Sequence, residues 1–206
     1  MKSLTNRHLY LCVGLRPDMS EFLPAVLRGG VDIVQLREKS APRDAIVAGA
    51  REMRAVCADS NVPFIMTDDP LLALDVDADG VHVGQDDMSV SECRRIVGDD
   101  AIVGLSTHAP DEFAAALNEP VTYRSAGPIV PTPTKLGRDA TGVNYAVECH
   151  ALSNEPVFVT GGVSPQTLPG LLSVGLRYFV VVRSLSDAAH PEAIARQMST
   201  LIADVL

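Results

Sequence analysis

One pattern constrains this chain more than any other: a short apolar run followed by a longer helical stretch, repeated from end to end. The runs are Leu9–Gly14, Asp32–Leu36, Pro63–Thr67, Gly80–Val83, Ile102–Leu105, Thr122–Gly127, Val157–Thr160 and Tyr178–Val182. Several are solidly apolar instead of alternating, as strands covered on both faces are, which implies a parallel sheet. Between them lie helix signals. Ser89 and Glu92 form a capping-box pattern ahead of Val90 to Val97, and Ser164 followed by Pro165 reads as a cap with proline at the first helical position. Ile46, Ala50, Met53 and Cys57 share one helical face, as do Ile194, Met198, Leu201 and Ile202, followed by Leu206.

Eight such units in 206 residues imply an α/β fold with a single domain over residues 1–206, a (β/α)8 TIM barrel with its active site at the C-terminal ends of the strands. A doubly wound open sheet is the alternative. At 206 residues, an expectation of roughly 150 residues per domain does not force two. No linker rich in proline, glycine and serine divides the chain, and the loop from Pro131 to Gly142 falls inside the repeat.

Composition narrows the function classes. A net charge of −9 with scattered lysine and arginine argues against a nucleic-acid partner, which requires concentrated positive charge. It permits a small phosphorylated substrate held by a few placed cations. No apolar run approaches the roughly 18 residues that span a bilayer, and the N-terminal apolar stretch is shorter than a secretory core of about 7 to 15 residues, so a cytoplasmic protein is expected. Cys12, Cys57, Cys93 and Cys149 contain no Cys-x-x-Cys pair, and they read as buried thiols.

If the chain is a barrel, residues just past each strand share one rim. On the second strand alternation sends Gln35, Arg37 and Lys39 to one side and Leu36 and Glu38 to the other. The third ends in Thr67-Asp68-Asp69 and the fourth in Gly84-Gln85-Asp86-Asp87, so neighbouring strands each deliver a carboxylate. One or two carboxylates, completed by water and substrate phosphate, are how Mg²⁺ is usually held; a salt-bridge network with Arg and Lys is the other reading. Asp69 before Pro70 is a helix-start signal. His82 reads as a packed, hydrogen-bonded strand residue near the rim. Ser106-Thr107-His108 lacks any nucleophile elbow and reads as a binding segment instead of a catalytic pair. After the sixth strand, prolines stiffen a loop along which Thr132, Thr134 and Lys135 alternate. After the seventh, Gly161-Gly162 allows close backbone approach to an anion, with Val182-Arg183-Ser184 beside it at the eighth.

Taken together, Gln35-Leu36-Arg37-Glu38-Lys39, Gly80-Val81-His82-Val83-Gly84-Gln85-Asp86-Asp87, Gly104-Leu105-Ser106-Thr107-His108 and Gly127-Pro128-Ile129-Val130-Pro131-Thr132-Pro133-Thr134-Lys135 closely resemble the signature of the thiamine phosphate synthase family. The motifs occur in the family's order and cover nearly the whole chain. The resemblance implies an enzyme that condenses a hydroxymethylpyrimidine diphosphate with a thiazole phosphate, through a pyrimidine carbocation and with Mg²⁺. It implies that Gln35, Arg37, Lys39, Ser106 and Lys135, with Glu38, Thr67 and His82 beside them, hold the pyrimidine diphosphate. Asp68 and Asp87 would hold the metal, and Thr132, Thr134, Gly162, Val182, Arg183 and Ser184 the thiazole phosphate. Arg37, Lys39 and Lys135 would stabilise the departing diphosphate. Partners are then small-molecule substrates, and a homo-oligomer is compatible with the sequence. Two departures stand out: Thr67-Asp68-Asp69 replaces the family's usual Asn-Asp-Arg, and Arg183 stands where a serine is usual. A thiazole tautomerase, or a silent phosphate-binding protein of the same pathway, are the rival readings.

Overall fold

The eight apolar runs are strands that pair in parallel in sequence order until the last closes on the first, which settles the barrel against the open sheet. The computed structural model describes residues 4–131 and 139–206. The strands are β1 Leu9–Val13, β2 Ile33–Leu36, β3 Phe64–Thr67, β4 Gly80–Val83, β5 Ile102–Thr107, β6 Tyr123–Ala126, β7 Val157–Val159 and β8 Phe179–Val181. The helices are α1 Met19–Arg28, α2 Arg43–Asp59, α3 Pro70–Asp75, α4 Val90–Val97, α5 Pro110–Ala116, α6 Gly142–Leu152, α7 Leu168–Ser173, α8 Arg183–Ser186 and α9 Pro191–Ala203. The fifth strand outruns its apolar segment by two residues. Ser106 and Thr107 stay in register with Ser125 and Ala126 of β6, so pairing continues where hydrophobicity stops.

Period-two alternation sorts the side chains into two cores. Outward residues such as Leu9, Leu11, Val34, Val81, Val103 and Val157 meet the buried faces of the helices, among them Phe22 and Val26 of α1, Met53 and Cys57 of α2, and Met198 and Ile202 of α9. Inward residues form a separate plug of Leu4, Tyr10, Ile33, Ile65, Ile102, Tyr123 and Phe158. Burial of each large apolar side chain contributes about 1.5–3 kcal/mol. Gly104 makes the plug possible, because a Cβ there would collide with the Tyr123 ring. The plug fills the lower barrel and leaves Gln35, Thr67, His82, Ser106 and Ser125 as a polar layer above it.

Local signals mostly hold. Ser89 and Glu92 make the reciprocal capping box of α4, and all four cysteines are buried. The Ser164 cap is a correction. Its hydroxyl accepts from Thr167 N at 3.2 Å and closes a turn, and the regular helix α7 begins at Leu168. Leu206 lies past the end of α9 and is exposed. Among the described residues no helix is long and apolar enough to cross a membrane.

Candidate active site

The C-terminal ends of the strands open on a cavity of about 640 Å³. Gln35, Arg37 and Lys39 line it, because the alternation of β2 persists past its last paired residue, Leu36. Glu38 does not, which corrects its place among the substrate-binding candidates. Its carboxylate turns to the outer side and accepts from the backbone N–H groups of Leu15, Ser40 and Ala41 and from the Ser40 hydroxyl. Those bonds, the Ser40 ones foremost, hold the carboxyl below the usual range. Glu38 thereby fixes the loop that carries Lys39.

Asp68 and Asp87 both face this cavity. Asp68 follows the last residue of β3 with φ +66°, a left-handed conformation that aspartate tolerates better than most residues, and its N–H is held by the His82 carbonyl at 2.8 Å. Burial pushes its carboxyl above the ordinary range; Lys39, with Nζ 3.1 Å away, works against this, and the charge of neighbouring Asp87 adds to it. Asp87 Oδ2 accepts from Gly84 N at 2.7 Å, which closes the turn after β4. Asp69 points elsewhere. Its Oδ1 caps α3 by accepting from Leu72 N at 2.8 Å, and its Oδ2 pairs with Arg43 at 3.0 Å. The Asp69 carboxylate is therefore matched by a cation from the first residue of α2, outside the cavity.

The cavity floor is a run of hydrogen bonds. Thr67 Oγ1 donates to the Leu36 carbonyl at 2.8 Å and accepts from Gln35 Nε2 at 2.7 Å. Tyr10 donates to Gln35 Oε1 at 3.1 Å and meets the Tyr123 hydroxyl at 2.8 Å. His82 joins Tyr123 through Nδ1 and Ser106 through Nε2, each at 2.8 Å. Ser106 therefore does pair with a histidine, but the histidine is on β4, and His108 is bound to the Gly127 carbonyl. The imidazole is backed by a phenol and not by a carboxylate, so no acid-base triad results. Burial raises both Tyr10 and Tyr123 above the ordinary phenol range, which keeps them neutral.

On the opposite side, Gly161 and Gly162 have φ of +86° and +76°, and side chains there would strike Pro128 and Val130. The glycines let the β6 and β7 loops close against each other at the rim. Gly162, Val182, Arg183 and Ser184 line the cavity. The Ser184 hydroxyl donates to the Val163 carbonyl at 2.7 Å and ties α8 to the preceding loop. Thr132, Thr134 and Lys135 lie outside the described residues. Sequence reading missed Tyr10, Tyr123 and Ser125, although the alternation of β1 and β6 carried the signal: Tyr123 and Ser125 point in, Arg124 and Ala126 out.

A family model described as thiamine monophosphate synthase matches residues 9–185. A thiamine-phosphate synthase of Acidothermus cellulolyticus is 39% identical over 208 residues, covering 98% of this chain and 97% of the relative. One from Thermus thermophilus is 40% identical over 196 residues, covering 92% of this chain and 94% of the relative. Among solved structures, thiamine phosphate pyrophosphorylase from Pyrococcus furiosus superposes with a TM-score of 0.88 at 24% identity, covering 97% and 96% of the two chains, a likeness of fold.

Proposed function

The chain belongs to the thiamine monophosphate synthase family, and on that premise we propose how its cavity divides the work of the family's reaction. The enzyme condenses 4-amino-5-hydroxymethyl-2-methylpyrimidine diphosphate with 4-methyl-5-(2-phosphoethyl)thiazole, giving thiamine phosphate and pyrophosphate. The bond between the pyrimidine methylene and the diphosphate oxygen breaks, and its electron pair leaves with the diphosphate. The amino-substituted ring stabilises the resulting carbocation, and the thiazole nitrogen supplies the pair that forms the new C–N bond.

The hard part is charge building on the departing diphosphate, which preorganised cations lower most effectively. Arg37 and Lys39 are assigned that role, with Lys135 as a third cation. Gln35 and Ser106 hold the pyrimidine end, with Thr67 and His82 supporting them from the cavity floor. Arg183, the Gly162 backbone and the turn at Val182 are assigned to the thiazole phosphate, with Thr132 and Thr134 beside them. An arginine in that place suits phosphate, because its fork can bind two oxygens at once. The Ser184 hydroxyl is already committed to Val163, which favours Arg183 over Ser184 as the phosphate contact.

Asp68 and Asp87 fit a hard divalent cation. Both are oxygen donors on one cavity wall, and the raised Asp68 carboxyl is a site that positive charge relieves. Among the described residues no cluster of three metal-ligating side chains exists, which suits Mg²⁺ completed by water and phosphate oxygens. When bound, Mg²⁺ would neutralise charge on the diphosphate.

The observation that carries the reading is the meeting of Arg37 and Lys39 with Asp68 and Asp87 in one cavity at adjacent strand ends. Purified protein mixed with both substrates and Mg²⁺ should give thiamine phosphate and pyrophosphate, and chelation should stop it. No product would sink the synthase reading in favour of the tautomerase or the silent binder; equal product under chelation would sink the metal assignment.

A further inference from the structure

We propose that Thr67 is a positioning residue that fixes the direction of the hydrogen-bonded run across the barrel, and with it the amide orientation of Gln35, the tautomer of His82 and the aim of the Ser106 hydroxyl. The inference rests on the reading above, in which Gln35 and Ser106 hold the pyrimidine diphosphate.

The direction follows from counting protons. The Leu36 carbonyl can only accept, so Thr67 donates to it. With its proton spent, the Thr67 oxygen must accept, and the Gln35 atom 2.7 Å away must be the amide nitrogen. The Gln35 carbonyl then faces Tyr10 and takes its proton. Tyr10 must next accept from Tyr123, and Tyr123 in turn must accept from His82. The proton of neutral His82 therefore sits on Nδ1. Nε2 is left as an acceptor, and the Ser106 hydroxyl donates to it while the Ser106 oxygen accepts from Ser125 at 3.3 Å. Two neutral phenols keep the run unbroken, since each carries one proton and passes on one direction.

Five side chains on five other strands are thus oriented from the Thr67 hydroxyl. Gln35 offers the cavity its remaining N–H and carbonyl lone pair in a single order, which suits a planar ring that presents an acceptor nitrogen beside an amine. Without the Thr67 hydroxyl nothing holds the amide to that order. A flipped Gln35 would donate to Tyr10, and every bond would reverse as far as His82, whose proton would move to Nε2. Ser106 would then become the acceptor. The signal is local in sequence at Met66-Thr67-Asp68, and it reaches the His82 ring, whose residue pairs with Thr67 in the β3–β4 register, through four hydrogen bonds around the barrel.

The test is nitrogen-15 NMR of histidine in the full-length, ligand-free protein at alkaline pH, with His82→Asn used to assign its signals. Wild type should show one His82 tautomer, protonated at Nδ1. Thr67→Val, close in shape, should shift His82 toward the Nε2–H form or an average of the two, and lower kcat/KM for the pyrimidine diphosphate about tenfold, the scale of one buried hydrogen bond. Thr67→Ser, which keeps the hydroxyl, should return the single tautomer and the lost rate. If the valine variant is insoluble, Thr67→Ala serves in its place. An Nε2–H form in wild type, or an unchanged Nδ1–H form in the variant without the hydroxyl, overturns the proposal. Because the tautomer is read without substrate, absence of synthase activity would overturn the functional reading alone.

Discussion

The two ends of the barrel treat charged side chains in opposite ways. Near the N-terminal ends of the strands Arg124 is 1% exposed, and its guanidinium is consumed by protein: Glu155 at 2.7 Å, the Ala116 carbonyl through two nitrogens, and the Ser153 hydroxyl. Arg94 is likewise spent on the Pro120 carbonyl and Thr122, and Asp32 on the N–H groups of His8 and Leu9. At the C-terminal mouth Arg37 and Arg183 line open volume, and among the described residues neither forms an ion pair. Buried or half-buried charge is therefore no mark of function in this fold. What separates the ends is whether the cation's donors meet protein acceptors or a cavity sized for a ligand.

Three substitutions would break or sharpen that contrast. The largest effect is expected at the mouth: Asp87→Ala should cut turnover about 10³-fold, on the several kcal/mol that charge stabilisation supplies, while the melting temperature moves little. Full Mg²⁺-dependent turnover in that variant would remove Asp87 from the metal assignment. Next comes the closed end. Arg124→Met should destabilise by about 2–4 kcal/mol, through the orphaned Ala116 carbonyl and lost packing, and leave turnover per folded molecule intact. Denaturant unfolding measures the first part and kinetics the second; a loss of turnover without a loss of stability would erase the contrast. The smallest change falls on the shoulder between them. Asp69→Ala should cost about 1 kcal/mol as a lost helix cap, with activity kept, because that carboxylate faces Leu72 and Arg43.

Legibility in the sequence followed the range of the interaction that decided each feature. The strand bounds came within two residues of the structure because pairing and burial follow a period-two pattern. The placement of Gln35, Arg37 and Lys39 on the cavity wall followed from the same alternation. Where a residue lay beyond the last paired position, period gave less: Glu38 was captured by three backbone N–H groups of its own and a neighbouring loop. Ser164 also carried a true capping signal, yet the helix waited until Leu168, because its hydroxyl closed a turn first.

By itself the sequence determined a barrel with a polar rim and the order in which cations, carboxylates and glycines arrive around it, since each depends on neighbours one to four residues apart. Tertiary structure alone decided which rim groups meet. Thr67, Gln35, Tyr10, Tyr123, His82 and Ser106 belong to β3, β2, β1, β6, β4 and β5, and only barrel closure brings those strands around one interior. The direction of the bonds between them needs the geometry as well, because a hydroxyl or an amide can point either way until an acceptor-only carbonyl, here that of Leu36, fixes the first proton.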